Sequence, residues 1–481
     1  MTAESEQGTD ADNGKFANAR TRGVETLLGD PKKAIIKLSI PMIIAMSIQT
    51  IYNLVDALWV SGLGPDALAA VGLFFPFFFI LIAIATGIGV GAGASLSRRI
   101  GAKDKEGSDN VAIHSLLLMM GVSLVMVAIF LPLTRPMFAA MGATGNVLDM
   151  TVQYSYVMFA AAPLLFFMNW ATAIMRSEGD VTRPMWAMAA GSVLNMVLDP
   201  IFIYTFDMGV AGAAWATAVS ILVTALPLVY WMFIKADTYV TIQRCCFMYS
   251  RDIIKDIMKV GLPATVMQLS MSITMLFLNF IIIDIGGTDG VAVFTTGWRV
   301  VMVAILPLIG IATAIVSVTG AAFGARQYGK IGVALNYSIK MGFTVELVIA
   351  AATFLLAGPI AAVFSMGEGG ERIQGDLEDL IRILAFFYPF VAFGMFSSSM
   401  FQGTGKGMNA LAVTLLRTVV FTMILVLALA YTLELGLDGV WWGMVLGNTM
   451  GAIVAYTWAR FYLSKLNGEP ELVGAPSALP D

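Results

Sequence analysis

The sequence predicts an all-α integral membrane protein with about twelve spanning helices in two pseudo-symmetric six-helix lobes. Three observations carry that prediction: a composition poor in charge, a series of apolar stretches long enough to cross a bilayer, and an internal repeat. Of the 481 residues, 58% are hydrophobic and 12% charged, against about 25% charged in soluble domains. A single soluble core stops growing near ~250–300 residues, so this much apolar material needs lipid as its solvent. The net charge of −4 offers no basic patch, which argues against a nucleic-acid partner. One histidine and the adjacent Cys245 and Cys246 leave no disulfide framework and no Cys/His metal set. Without a G-x-S-x-G serine motif either, an enzyme has little to be built from, and no cofactor is expected.

The elements follow in order. The chain opens with thirty-odd polar residues, unlike a secretory leader, so 1–31 is read as a solvated tail. A spanning helix needs ~20 mostly apolar residues. Such stretches fall near 35–60, 68–96, 111–133, 148–175, 184–205 and 210–234. Six more fall near 256–284, 290–320, 334–357, 378–402, 408–432 and 438–462. Several are long enough to require tilt or a kink. Of the 28 Lys and Arg residues, 22 lie in the tails and alternate loops, against two (Arg135 and Arg372) on the opposite side. By the positive-inside rule both termini and the loop near 235–259 are cytoplasmic, in a multi-pass protein of the cell membrane. An odd number of spans would scramble the alternation.

The repeat is visible by eye. LGPDALAAV (63–71) is echoed by GGTDGVAVF (286–294), and IGAKD (100–104) by FGARQ (323–327), both 223 residues on. Gly179 in RSEGD pairs with Gly405, and GVAGAAW (209–215) with GLDGVWW (436–442), at 226–227. The chain therefore divides into a tail (1–31), a first lobe (32–235), a basic linker (236–259), a second lobe (260–465) and a tail (466–481). Parallel repeats in transporters place substrate and coupling-ion sites near the midplane, so transport is the function this pattern favours. The run GIGVGAG (87–93) lacks the preceding strand of a dinucleotide fingerprint and is read as close helix packing.

Ionisable groups inside a bilayer cost ~2.5–3.5 kcal/mol on insertion scales and mark functional sites by default. Asp56 ends a polar stripe of Gln49, Asn53 and Asp56, spaced i, i+4, i+7, so all three share a helix face. The fifth stretch carries Ser192, Asn195 and Asp199 at i, i+3, i+7, and the sixth offers Thr217. Two carboxylates, an amide and a hydroxyl supply only oxygen-rich ligands, suited to Na⁺ or to a shared proton. The alternative is that each aspartate caps a helix end, Asp199 standing just before Pro200. The seventh stretch shows Gln268, Ser272 and Asn279, polar but uncharged, so ion chemistry is expected in the first half. Arg299, Glu346, Arg382 and Arg417 are the charged residues of the second half within or at the ends of apolar stretches. Arg299, ~13 Å along its helix at ~1.5 Å per residue, suits either an acidic ligand or a structural ion pair. His114 opens the third stretch, and Pro41 interrupts the first, permitting a bend fifteen residues before Asp56.

Together these residues resemble the multidrug and toxic compound extrusion (MATE) family. The resemblance covers about 32–465 and rests on NLVDALWVSGLGPDALAAVG (53–72), MRSEGDVTRP (175–184), LNMVLDPIFIY (194–204) and GVAGAAWAT (209–217). It implies twelve helices in two lobes forming a V, and extrusion of organic, often cationic compounds driven by inward Na⁺ or H⁺. It assigns Asp56, Asn195, Asp199 and Thr217 to a cation site, Tyr154 to the hydrogen-bond network beside it, and Pro41 to a bend of the first helix. These six positions hold the residue types of the archaeal and DinF-like branch. The other bacterial branch keeps carboxylates in its second lobe, and the tenth stretch here, FGMFSSSMFQG (393–403), has none. Gln49, Asn53, Gln268 and Asn279 are the further candidates for a substrate cavity. A monomeric antiporter of small organic compounds is the expectation. The alternative in the same superfamily is a lipid-linked oligosaccharide flippase, which would use the cationic Arg299 and Arg417.

Overall fold

Every element of the computed structural model is helical: among the described residues, 21–242, 248–365 and 370–468, no strand forms. The amino-terminal tail to residue 20, the Cys245–Cys246 pair and the residues from Glu469 lie outside the described residues. A short helix α1 (Arg22–Leu28) precedes α2 (Pro31–Ser61), α3 (Pro65–Gly101) and α4 (Lys105–Ala140). Then come α5 (Gly145–Ala160), α6 (Ala162–Ser177), α7 (Thr182–Pro200) and α8 (Gly209–Val229), the last two prolonged by wider turns to Thr205 and Ile234. The second half contains α9 (Arg251–Ala304, two helical runs joined at a non-helical kink at Gly287), α10 (Leu306–Gly324), α11 (Tyr328–Leu355), α12 (Ala357–Phe364) and α13 (Gln374–Ala385). It ends with α14 (Tyr388–Gly403), α15 (Gly407–Leu415, prolonged to Thr432) and α16 (Gly436–Asn467). Among the described residues nine helices are long and apolar enough to cross a bilayer, or eleven when each bent pair counts as one span. The 32-residue α16 fills the place of the remaining expected stretch.

Three stretches expected as single spans are broken. The pair α5 and α6 meets at 44°, and the helix Glu371–Ala385 meets α14 at 51°. The third break separates α9 from α10 at Ile305. In each case a proline opens the second helix: Pro163, Pro389 and Pro307. Proline suits the first helical turn, where its missing N–H costs nothing, and it disfavours helical backbone in the residue before it. Pro163 and Pro389 stand 226 residues apart, so this bend belongs to the repeat.

The turns repeat with the same spacing. Left-handed φ occurs at Gly64 and Gly287 and at Lys103 and Arg326, both pairs 223 residues apart. It recurs at Gly179 and Gly405 (226 apart), and at Asp207 with Glu434 and Gly209 with Gly436 (both 227 apart). For a side chain with a β-carbon this conformation costs about 1–2 kcal/mol. Its recurrence at Lys103, Arg326, Asp207 and Glu434 is therefore the imprint of one duplicated backbone.

The helices form two compact units. The first holds 44–265 with the residues up to Leu27, and the second holds 28–43 with the residues from Val266 onward. This division differs from lobes split at a 236–259 linker, because α2 changes unit after Ile43 and α9 after Thr265. Each change comes two residues beyond a proline, Pro41 or Pro263, where a missing N–H loosens the backbone ladder. Within the first unit the glycine run of α3 works as packing, as expected. Gly87 and Gly91 lie against the backbone of α9 at Gly261 and Ile257, with no room for a β-carbon, while Gly89 and Gly93 face Ala173 and Ser177 of α6.

The described part of the linker is tied to the first unit. Glu178 accepts hydrogen bonds from the Tyr239 and Val240 N–H groups, each at 2.9 Å. Asp109 accepts from Thr241 N–H at 2.7 Å, and Asn110 Oδ1 from Met248 N–H at 3.1 Å. His114 Nε2 accepts from Ser250 N–H at 2.9 Å, which leaves Nδ1 to donate to Asn110 O at 2.8 Å. Arg183 forks onto Asp237 at 2.7 and 3.0 Å. Residues 251–259 are already helical and begin α9.

Burial lifts the Glu178 carboxyl from 4.5 to about 8, outweighing its two N–H donors. The folded state thus binds this proton more tightly than the unfolded chain does. The stabilisation is complete below the unfolded value and is lost as pH rises toward 8. Solubilised wild-type protein should therefore lose thermal stability relative to Glu178→Gln across that window, by at most about 5 kcal/mol at ~1.4 kcal/mol per unit. Melting curves whose difference is independent of pH would contradict the buried acid.

Candidate cation site

The site is built where α2, α7 and α8 come together inside the first unit. Close packing of α7 on α8 comes from two glycines. Gly191 leaves no room for a β-carbon beside the Thr224 hydroxyl, and at Gly212 one would lie 2.6 Å from Phe202 O. This brings Asn195 opposite Thr217. The far end of α2 is pinned to the extension of α7 by Tyr204, whose hydroxyl donates to Trp59 O at 2.7 Å. The two rings meet edge to face, with centroids 6.2 Å apart.

Asp199 is 0% exposed and Asn195 1%, in a wall of apolar helix. In the amide orientation that satisfies both ends, Asn195 donates to Asp199 Oδ2 at 3.0 Å and accepts from Thr217 N–H at 3.1 Å. The other carboxyl oxygen, Asp199 Oδ1, has no protein partner among the described residues. The half-buried Asp56 brings its carboxyl within hydrogen-bonding reach of Asp199. Neither aspartate caps a helix: α2 continues to Ser61, and the wider turns after Pro200 continue to Thr205. Each stands more than a turn before the end of its helical run, inside an apolar stretch. Two carboxyls this close in an apolar wall repel each other while both are ionised, and a shared positive charge would relieve that repulsion.

Two tyrosines complete the surroundings. The Tyr154 ring is buried against Phe74, edge to face at 5.3 Å, and its phenol lies in electrostatic range of Asp56 and Asp199. Tyr52, one turn before Asp56 on α2, hydrogen-bonds the Thr217 side chain. Sequence reasoning passed over Tyr52, although its i−4 offset from Asp56 placed it on the same face.

The remaining candidates are more dispersed. Gln49 and Asn53 share the Asp56 face of α2 but are exposed. Gln268, Asn279 and Arg299 belong to the second unit; Gln268 and Arg299 are exposed, and Asn279 Oδ1 is buried without a partner among the described residues. Pro41 lies in the part of α2 that belongs to the second unit, and the helix runs through it unbroken. No cluster of three His, Cys, Asp or Glu side chains suited to a metal occurs among the described residues.

Known proteins resemble this chain along most of its length. The multidrug export protein MepA of Staphylococcus aureus is 27% identical over 431 residues, covering 88% of this chain and 92% of its own. A solved structure described as the outward-facing conformation of a multidrug resistance MATE family transporter is 49% identical, with a TM-score of 0.90 over 93% of this chain and 99% of that one. A MOP superfamily transporter from Pyrococcus furiosus, described as having a binding pocket of reverse polarity that suggests a different function, matches with the same identity, TM-score and coverage. The MatE family model matches residues 41–201 and 263–427. On a helical membrane fold repeated in two halves, with that match over more than half its length, the chain belongs to the MatE family and is a multi-pass membrane transporter rather than an enzyme.

Proposed function

We propose that the protein is a secondary antiporter that exports organic, often cationic and amphipathic compounds in exchange for inward Na⁺ or H⁺. The contact between the Asp56 and Asp199 carboxyls inside an apolar bundle carries this reading. The similarity to multidrug export proteins supports the substrate class. In the outward-open state the pair takes up one cation, with Asn195 and Thr217 completing the oxygen set and Tyr154 beside it. Neutralising the pair removes the reason for polar contact around it. The first helix then bends near Pro41, the cavity by Gln49 and Asn53 contracts, and the substrate leaves outward. On the cytoplasmic side the cation departs and new substrate enters. A ligand shifts such an equilibrium only through its different affinity for the two states, and the carboxyl pair supplies that difference.

Of the two arginines that the flippase reading would use, Arg417 Nη1 is bonded to Asn448 Oδ1 at 2.8 Å, which leaves it the exposed Arg299. Reconstituted vesicles under separately imposed Na⁺ and pH gradients test the proposal. One gradient should concentrate a fluorescent organic cation about tenfold, equivalent to ~1.4 kcal/mol. Equilibration without concentration under either gradient would refute antiport.

A further inference from the structure

Helix α11 carries an acid with no part in the scheme above. Glu346 is 0% exposed, and neither of its carboxyl oxygens has a hydrogen-bond partner among the described residues. The helix is apolar around it, and one turn earlier Gly342 packs against Phe396 and Leu308. A bare carboxylate there would lose its hydration and gain no partner in return. A neutral carboxylic acid escapes most of that cost.

The charged and titratable groups around α11 do not change this. Helices α10 and α12 contain none. From α14 comes Tyr388, 0% exposed, whose phenol oxygen also lacks a partner and which is in electrostatic contact with Glu346. On α13, Arg382 pairs with Glu378 at 2.5 Å. On α9, Asp289 pairs with Arg372 at 2.5 Å and Asp284 accepts from Tyr431 at 2.8 Å, while Arg299 is exposed. The other titratable groups on these helices are Asp376 and Asp379 of α13, Asp438, Tyr456, Arg460, Tyr462 and Lys465 of α16, and Tyr328, Lys330, Tyr337 and Lys340 of α11 itself, and none of them hydrogen-bonds the Glu346 carboxyl. One carboxyl and one phenol also fall well short of the roughly six oxygens that a hard metal cation collects.

We propose that Glu346, with the Tyr388 phenol beside it, is a proton-binding site of the second unit, loaded in this conformation and emptied when that unit repacks to admit water or a counter-charge. The step is simple acid dissociation: the carboxyl O–H bond breaks, its electron pair stays on the carboxylate, and the proton passes to water. The second unit thereby takes part in proton coupling through an acid of its own. Only the transport arm of the test rests on the antiport reading.

Infrared spectra of the full chain in lipid nanodiscs at neutral pH should show a protonated-carboxyl carbonyl stretch. Glu346→Gln should remove it, and Tyr388→Phe should shift its frequency without removing it. A spectrum unchanged in Glu346→Gln overturns the proposal. In vesicles Glu346→Gln, a fixed mimic of the neutral acid, should bind substrate as wild type does yet lose pH-driven efflux about tenfold or more. Undiminished pH-driven efflux in that variant would make the proton a permanent fixture and overturn the exchange. If Glu346→Gln fails to fold, the frequency shift in Tyr388→Phe decides alone: a band that moves supports the site, and one that does not rejects it. Wild-type protein that fails to pump under either gradient would count against antiport alone, and the infrared band would still decide Glu346.

Discussion

Asp56→Asn should abolish gradient-driven efflux, by about 100-fold or more, while the protein still folds and inserts. The amide has the shape of the acid and can still donate to the Asp199 carboxyl within reach. What it cannot do is gain or lose a positive ion. The remaining acid then meets a neutral partner in both conformations, so the ion no longer distinguishes them, and a 100-fold loss corresponds to ~2.7 kcal/mol of coupling. Asp199→Asn should behave alike. Asn195→Ala should cost less, about tenfold, because it removes one donor from Asp199 Oδ2 and leaves both acids in place. Vesicle efflux measured beside melting temperature checks all three. Normal pumping by Asp56→Asn would end the mechanism.

The second large effect is structural. Gly91→Leu should prevent assembly of the first unit, with a loss beyond the ~1–3 kcal/mol of ordinary overpacking. The atoms in the way are backbone, Ile257 O and Gly261 N, so no side-chain rotation can relieve the clash. Membrane helices approach this closely only where both surfaces are small. Gly121 is the control, because a β-carbon there meets nothing within 4 Å. Gly121→Ala should match or slightly exceed wild type in stability. Solubilised yield and melting temperature measure both variants, and equal melting temperatures for Gly91→Leu and wild type would refute the packing argument.

The helices and their duplication were legible because both are written in local pattern: apolar runs set the spans, and turn residues recur at a fixed offset. The bends were legible in principle, since Pro163 and Pro389 are plain in the sequence, but hydropathy runs smoothly across them. That α2 and α9 change unit was not legible, because both parts of each helix are equally apolar and only tertiary contact separates them. The grip of Asp109, Asn110, His114 and Glu178 on the linker was invisible for the same reason, its partners lying between 61 and 138 residues away. At the site, spacing placed Asp56, Asn195 and Asp199 on helix faces, whereas the contact between the acids depends on how α2 meets α7. Tyr52 was missed because an aromatic in an apolar run reads as filler. Glu346 stood out as a charge in a span, but the bareness of its oxygens is a property of its neighbours.

That the second unit begins with residues 28–43 and resumes only at Val266 has a consequence for biosynthesis. The ribosome must add 222 residues (44–265) between the two, which takes roughly ten to forty seconds at ~5–20 residues per second. Through that interval the early strip waits in the nascent chain for companions not yet translated. Completion of the carboxy-terminal bundle is thereby deferred to the end of translation, however quickly the first bundle matures.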